Sequence, residues 1–215
     1  MPMKTALQCL IVSALLIAGF AGASTHSYDA YVGGMKVGEA SVSVHIAASE
    51  YQVTGNARAV GFSRLLTAWR SLFSVRGKVR EDGAHADSME LRQEKKRKRT
   101  KEILIQDGTV SYFKNGKQKF ARPAPESTDI LTALFAKQNC QQANAVHNGK
   151  DIWQVQLLSE YRHADTGVRV CEFSVTDDTN RTFDARVHFA QLEGRSVLTY
   201  FKYGSRRLEL KNAQG

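Results

Sequence analysis

The feature that most constrains this chain is a two-residue alternation of apolar and polar side chains, broken about every ten residues by a pair of tight-turn residues. In "ASVSVHIA", Val42, Val44 and Ile46 share one side while Ser41, Ser43 and His45 share the other. Successive side chains of a strand point to opposite faces, so this pattern describes a half-buried strand. Comparable runs recur as "YQVTGNARAV", "SLFSVRGKVR", "KEILIQ", "TVSYFK", "DIWQVQLL", "VRVCEFSV", "TFDARVHFA", "SVLTYFKY" and "RRLELK". Between them stand Gly33-Gly34, Asp82-Gly83, Asp107-Gly108, Asn115-Gly116, Asn148-Gly149 and Thr166-Gly167, residues that accept the positive φ of a two-residue hairpin turn. The spacing of Asp107-Gly108 and Asn115-Gly116 forces three strands into a meander. The expected fold is mainly β: one large curved antiparallel sheet, an open barrel, half-barrel or spiral, with one or two short helices.

Two stretches depart from the alternation. In "ESTDILTALFAKQN" Ile130, Leu131, Leu134 and Phe135 recur at helical spacing, with Ser127 or Thr128 placed to cap the N-terminus. In "GFSRLLTAWRSLF" Phe62, Leu65, Leu66, Trp69 and Phe73 fall on one helical face, though an irregular strand pair fits there too. Either helix is suited to closing the open side of a curved sheet.

The N-terminus has the order of a secretory signal: Lys4, an apolar run from about Ala6 to Phe20, then Ala21, Gly22 and Ala23 before Ser24. The run is shorter than the roughly 20 residues of a membrane-spanning helix. We therefore expect a leader at residues 1–23, cleaved near Ala23, and a single β-rich periplasmic domain at 24–215 with no transmembrane segment. Removing the leader takes away Cys9 and leaves Cys140 and Cys171, an even pair that an oxidising compartment would join as a disulfide.

Charge is concentrated in one place. Of the formal +9, Lys4 accounts for one, and the segment 93–102, "QEKKRKRTKE", sets Lys95, Lys96, Arg97, Lys98, Arg99 and Lys101 against Glu94 and Glu102. The run lies between two strand-like stretches, so it reads as an exposed hairpin. Export removes the nuclear-import reading and leaves nucleic acid without a natural role. The run then reads as a solvated, edge-protecting hairpin or, alternatively, as a contact for an anionic envelope surface or acidic partner. Lysines at such a place also discourage edge-to-edge pairing of sheets.

Nothing local nominates a catalytic centre. The histidines (26, 45, 85, 147, 163 and 188) form no H-E-x-x-H or paired-ligand spacing, and no P-loop, G-x-G-x-x-G or G-x-S-x-G occurs. No cysteine has a second ligand at metal spacing, and no cofactor is implied.

The whole mature chain resembles an uncharacterised family of exported β-rich proteins of Gram-negative bacteria, a domain of unknown function. The likeness rests on "YDAYVGGMKVGEASVSV", "GFSRLLTAW" followed by "VRGKVREDG", "DILTALF", "VHNGKDIWQVQL", Cys171 and "FKYGSRRLELK", in that order. It implies an envelope-associated protein with a curved antiparallel sheet, distantly like the half-barrels of lipoprotein carriers and the spiral β-folds of envelope-integrity factors, and it brings no catalytic residues.

The first functional expectation is a non-enzymatic periplasmic protein supporting cell-envelope integrity by binding a lipid or lipid-modified protein in the concave sheet face, with Phe62, Trp69, Leu134 and Phe135 as lining. The second is an interaction module that docks on anionic surfaces through residues 95–101. A periplasmic hydrolase assembled from distant residues is a third.

Overall fold

The alternating runs become fifteen strands of one sheet in the computed structural model, which describes residues 23–66, 68–81, 83–95, 99–137, 139–140, 144–192, 194–204 and 208–212. The leader lies outside the described residues except for Ala23, as do Lys96, Arg97 and Lys98. The elements are β1 (Ser24–Val32), β2 (Met35–Ile46), β3 (Glu50–Ala59), α1 (Gly61–Leu66), β4 (Arg70–Arg80), β5 (Gly83–Lys95), β6 (Arg99–Gln106), β7 (Thr109–Lys114), β8 (Lys117–Pro123) and β9 (Thr128–Asp129). They continue with α2 (Thr132–Lys137), wound as a π-helix, then β10 (Ala145–His147), β11 (Ile152–Arg162), β12 (Arg169–Thr176), β13 (Thr182–Leu192), β14 (Arg195–Tyr203) and β15 (Leu208–Asn212).

Strand order is β8-β7-β6-β5-β4-β3-β2-β1-β15-β14-β13-β12-β11-β10-β9, so the first and last strands meet in the middle and the chain walks outward on both sides. Neighbours are antiparallel except β9, which lies parallel to β10. Three of the predicted turns have positive φ at both residues, Gly33 and Gly34, Asp107 and Gly108, and Asn115 and Gly116; at Asn148-Gly149 and Thr166-Gly167 only the glycine has it, and Asp82 lies outside the described residues. By pairing register, one rim of the sheet carries the β1–β2, β7–β8, β10–β11 and β12–β13 turns, α1, the paired ends of β5 and β6, and the end of β14, though the closing of the sheet offsets its two halves.

The apolar members of each alternation line the concave face. Val42 and Val44 are buried, as are Tyr51, Val53, Val75, Met89, Ile103, Ile105, Val110 and Tyr112 from the first half of the sheet. Phe173, Val175, Ala185, Val187 and Leu198 face them from the second half. α2 lies in this interior, with Thr132, Ala133, Leu134 and Phe135 all buried. A helix apolar on several sides belongs inside a core, not across its mouth. Asp129, rather than Ser127 or Thr128, caps it: Thr132 N–H donates to Asp129 Oδ1 at 2.9 Å. Cys140 and Cys171 form the expected disulfide, Cα–Cα 5.4 Å, which ties the chain just beyond α2 to β12.

The stretch 62–73 does not form one helical face. α1 ends at Leu66, Ala68 has φ 37, and β4 starts at Arg70. The cause is local: Ser63 Oγ donates back to the Val60 carbonyl at 2.6 Å and reaches the Val37 carbonyl, pinning a single turn onto β2. Phe73 is left in β4, where its ring crosses the bare backbone of Gly55; a Cβ at Gly55 would lie 2.4 Å from that ring.

The two ends of the sheet are brought together at a seam. The β10–β11 turn packs on β6 and β7, so that a Cβ at Gly149 would lie 2.5 Å from Ile103 and 3.1 Å from Val110. Arg122 of β8 donates to the Lys150 carbonyl at 2.8 Å, and Asn148 Oδ1 accepts from Lys150 N and Asp151 N. Gly149 also has φ +88, a region L side chains rarely adopt. Gly149→Ala is expected to lower stability by about 1–3 kcal/mol through combined strain and overpacking, read as a fall in the urea midpoint. Replacing Cys140 and Cys171 together by serine is expected to cost about 3–4 kcal/mol for a loop of this size, measured against the wild type with and without reductant.

Candidate functional site

The concave face is organised by how α2 is held. Tyr51 OH and Thr132 Oγ1 are hydrogen-bonded at 2.6 Å, linking β3 to the first turn of the helix. The Phe135 ring meets Tyr28 edge-on at 5.9 Å, and Tyr28 OH donates to the Leu198 carbonyl at 3.0 Å, joining β1 to β14. These contacts place α2 against both halves of the sheet.

Around the helix start is a sealed polar cluster: Asp129, Thr132 and His147 are 1%, 0% and 4% exposed, and Tyr51 is 2% exposed. Parallel pairing of β9 with β10 sets His147 beside Asp129. His147 Nδ1 accepts from Gly149 N–H at 3.0 Å, and the ring also bonds the Ser127 backbone, so the imidazole is neutral with both nitrogens used. Burial lowers the His147 pKa, opposed by the Asp129 charge. Burial raises the Asp129 pKa, opposed by its bonds to Thr132 and by His147. Asp129 Oδ2 has no partner among the described residues. Almost wholly buried and bonded to both β3 and β9, the cluster anchors the start of α2.

An apolar hollow of about 250 Å³ lies beside α2, walled by Ile130, Ala133 and Leu134 on the helix side and by Trp153, Val187, Phe201 and Tyr203 among the strand residues. Ile130, Trp153, Phe201 and Tyr203 are only partly buried, so this hollow communicates with solvent. Phe183 meets Tyr203 edge-on at 4.5 Å at its margin. A larger depression of about 990 Å³ on β12–β14 has walls of Glu172, Asp184, Arg186 and Lys202, and Arg186 already pairs with Glu172 at 2.5 Å. It is a charged surface hollow rather than a container.

The residues singled out from sequence are distributed as follows. Leu134 walls the apolar hollow, whereas Phe135 packs on Tyr28 in the core. Trp69 sits over Gly38, whose added Cβ would lie 3.7 Å from the indole, and Phe62 on α1 is 71% exposed. The structure therefore does not bring these four together. Of the cationic run, Lys95 ends β5 and Arg99 and Lys101 open β6. Arg99 and Lys101 share the side of β6 that carries buried Ile103 and Ile105, the concave side. They stay exposed because the β10–β11 turn covers that side only as far as Ile103, and the strand ends overhang it.

Sequence reading missed the continuation of this patch. Lys95 stands opposite Arg99, Lys101 opposite Lys114, and Lys114 opposite Lys117. All are exposed and none forms an ion pair among the described residues. Like charges directly opposite are destabilising, each pair by a few tenths of a kcal/mol to about 1. The signal for the ladder was available in the "KNGK" turn, once the register placed it beside Lys101.

Titration of the buried cluster gives a signed pH dependence. Above about 6.5 His147 is neutral folded and unfolded. As pH falls below that value the unfolded chain takes up a proton that the folded chain resists, so stability is lost. His26 and His188, also lowered by burial, act in the same sense, and Asp129, raised, acts in the opposite one. The urea midpoint is expected to fall from pH 7 to pH 5. His147→Asn should flatten that slope, and Asp129→Asn should steepen it; unchanged slopes in both variants would contradict the assignment.

No helix among the described residues is long and apolar enough to cross a membrane, and no group of three or more His, Cys, Asp or Glu among them could hold a metal ion. No curated protein matches the chain. A solved β-barrel-like protein of domain of unknown function DUF1849 from Brucella abortus is similar at 9% identity and a TM-score of 0.49, covering 88% of this chain and 94% of its own. The family DUF3108, described as a protein of unknown function, matches residues 27–211, from the fourth residue of β1 to the penultimate residue of β15, and the chain belongs to that family.

Proposed function

We propose that this is an exported, non-enzymatic protein of the cell envelope that holds an apolar or amphipathic ligand, a lipid or the acyl chain of a lipid-modified protein, on the concave face of its sheet. The observation that supports it is the apolar hollow beside α2 with partly exposed aromatic walls. Its volume of about 250 Å³ falls just short of the roughly 300–1,000 Å³ of pockets for drug-sized ligands. One hydrocarbon chain suits it better than a bulky polycyclic molecule. The leader-like N-terminus and the Cys140–Cys171 disulfide support the periplasm as its compartment.

A second reading, favoured by the ladder of opposed cations, is reversible docking on an anionic envelope surface through Lys95, Arg99 and Lys101. Lys96, Arg97 and Lys98 belong to the same sequence run. The two readings are compatible, since a carrier has to meet the membrane it serves.

Ala185 lines the hollow and is small, so Ala185→Leu places three more carbons inside it. Fluorescent fatty-acyl probe is expected to bind the wild type and to bind this variant about tenfold more weakly, a loss of about 1.4 kcal/mol, with the thermal midpoint of the variant not lowered. Absence of probe binding to the wild type, together with no lipid retained on native mass spectrometry, would end the carrier reading.

A further inference from the structure

The rim that bears the cation ladder also bears the most exposed large apolar side chains among the described residues, Phe62 at 71% and Met35 at 68%. Met35 opens β2 directly opposite Val32, itself 38% exposed, at the tip of the β1–β2 hairpin. Phe62 follows Gly61, which lies against the Lys36 carbonyl, and Ser63 bonds the Val37 carbonyl. One exposed apolar tip is thus assembled from two segments distant in sequence. From β2 to β5 is three strand spacings and to β8 six, about 15 to 30 Å, so this tip and the cations Lys95, Arg99, Lys101, Lys114 and Lys117 follow one another along the same rim.

Neither half of this arrangement is explained by folding. The cations repel one another, and Phe62 and Met35 face water while α1 is held down by Ser63 instead. Apolar side chains flanked by cations on one exposed rim match the boundary of an anionic bilayer, where headgroups meet the cations and the acyl region receives the apolar tip. We propose that Met35 and Phe62 form an insertion tip that seats this rim in an anionic lipid bilayer. The inference rests on the docking reading and adds to it depth and orientation.

The test uses the purified protein and sedimentation with vesicles of phosphatidylcholine, alone or mixed with phosphatidylglycerol. Wild type is expected to bind the mixed vesicles and lose affinity as salt rises. Lys101→Ser, Lys114→Ser and Lys117→Ser combined should weaken binding about 100-fold at low salt. Met35→Ser with Phe62→Ser should keep salt-sensitive attachment but abolish the portion that survives high salt. Phe62→Cys carrying an environment-sensitive fluorophore should shift to shorter wavelength on the mixed vesicles, Cys140 and Cys171 being occupied with each other. No salt-sensitive binding by the wild type would overturn docking and insertion together. Binding with no spectral shift, and no effect of the Met35 and Phe62 changes, would overturn insertion while leaving docking in place.

Discussion

A curved sheet of fifteen strands cannot fill its own interior, and the burial of α2 is the interaction on which the rest of the concave face depends. Side chains reach inward only a few ångströms, so a wide half-barrel needs a separate element at its centre. Ala133, Leu134 and Phe135 supply it, and their burial brings the first turn of the helix along with its unsatisfied backbone N–H groups. Asp129 answers Thr132 N–H, and Tyr51 answers the Thr132 hydroxyl. A carboxyl must be buried to do this, which raises its pKa and makes it sensitive to any change at His147. The disulfide at Cys140 then holds the far end of the same segment against β12.

Edges are the second constraint. An open sheet exposes unpaired N–H and C=O groups at both ends, an invitation to aggregation. Here β9 is only two residues long, and β8 carries Lys117, Lys119, Arg122 and Pro123. Both devices discourage pairing with another chain. The seam at Gly149 and Arg122 draws the two ends together at an offset, and the offset leaves the rim of β5, β6, β7 and β8 overhanging. The exposed concave surface of the overhang is where the lysine ladder sits, so the method of closure and the electrostatics of the rim have one origin.

The strands were legible because their information is local. The alternation in "ASVSVHIA" and the turn pairs Asp107-Gly108 and Asn115-Gly116 act over a few residues, and register follows from them. The stretch 62–73 was less so: Phe62, Trp69 and Phe73 satisfy helical spacing, but Ser63 and the strand ahead of it decide that the helix stops after one turn. For the candidate site almost nothing was legible beyond Leu134. The walls of the hollow come from α2 and five strands from β10 to β14, and pairings such as Asp129 with His147 depend on a parallel contact that no spacing announces. Lys95, Arg99 and Lys101 of the cation ladder were visible as a run. Lys114 and Lys117 became part of it only through cross-strand register.

The hollow beside α2 bears on why a chain would keep it. Native cores close their voids, because an apolar space costs about 24 cal/mol for each cubic ångström left unfilled. For about 250 Å³ that is on the order of several kcal/mol if the space were closed and dry, and somewhat less for one that opens to water. Two of its walls are alanines, Ala133 and Ala185, where a larger side chain would fill it. The same stabilisation is available to an apolar guest, and it would be added to the fold whenever the guest is bound. A guest that arrives from a bilayer brings a second requirement, that the entrance meet the membrane surface. The two requirements fall to different parts of the chain: Ala133 and Ala185 leave the space open, and Met35, Phe62 and the lysine ladder form the rim proposed to seat in the bilayer.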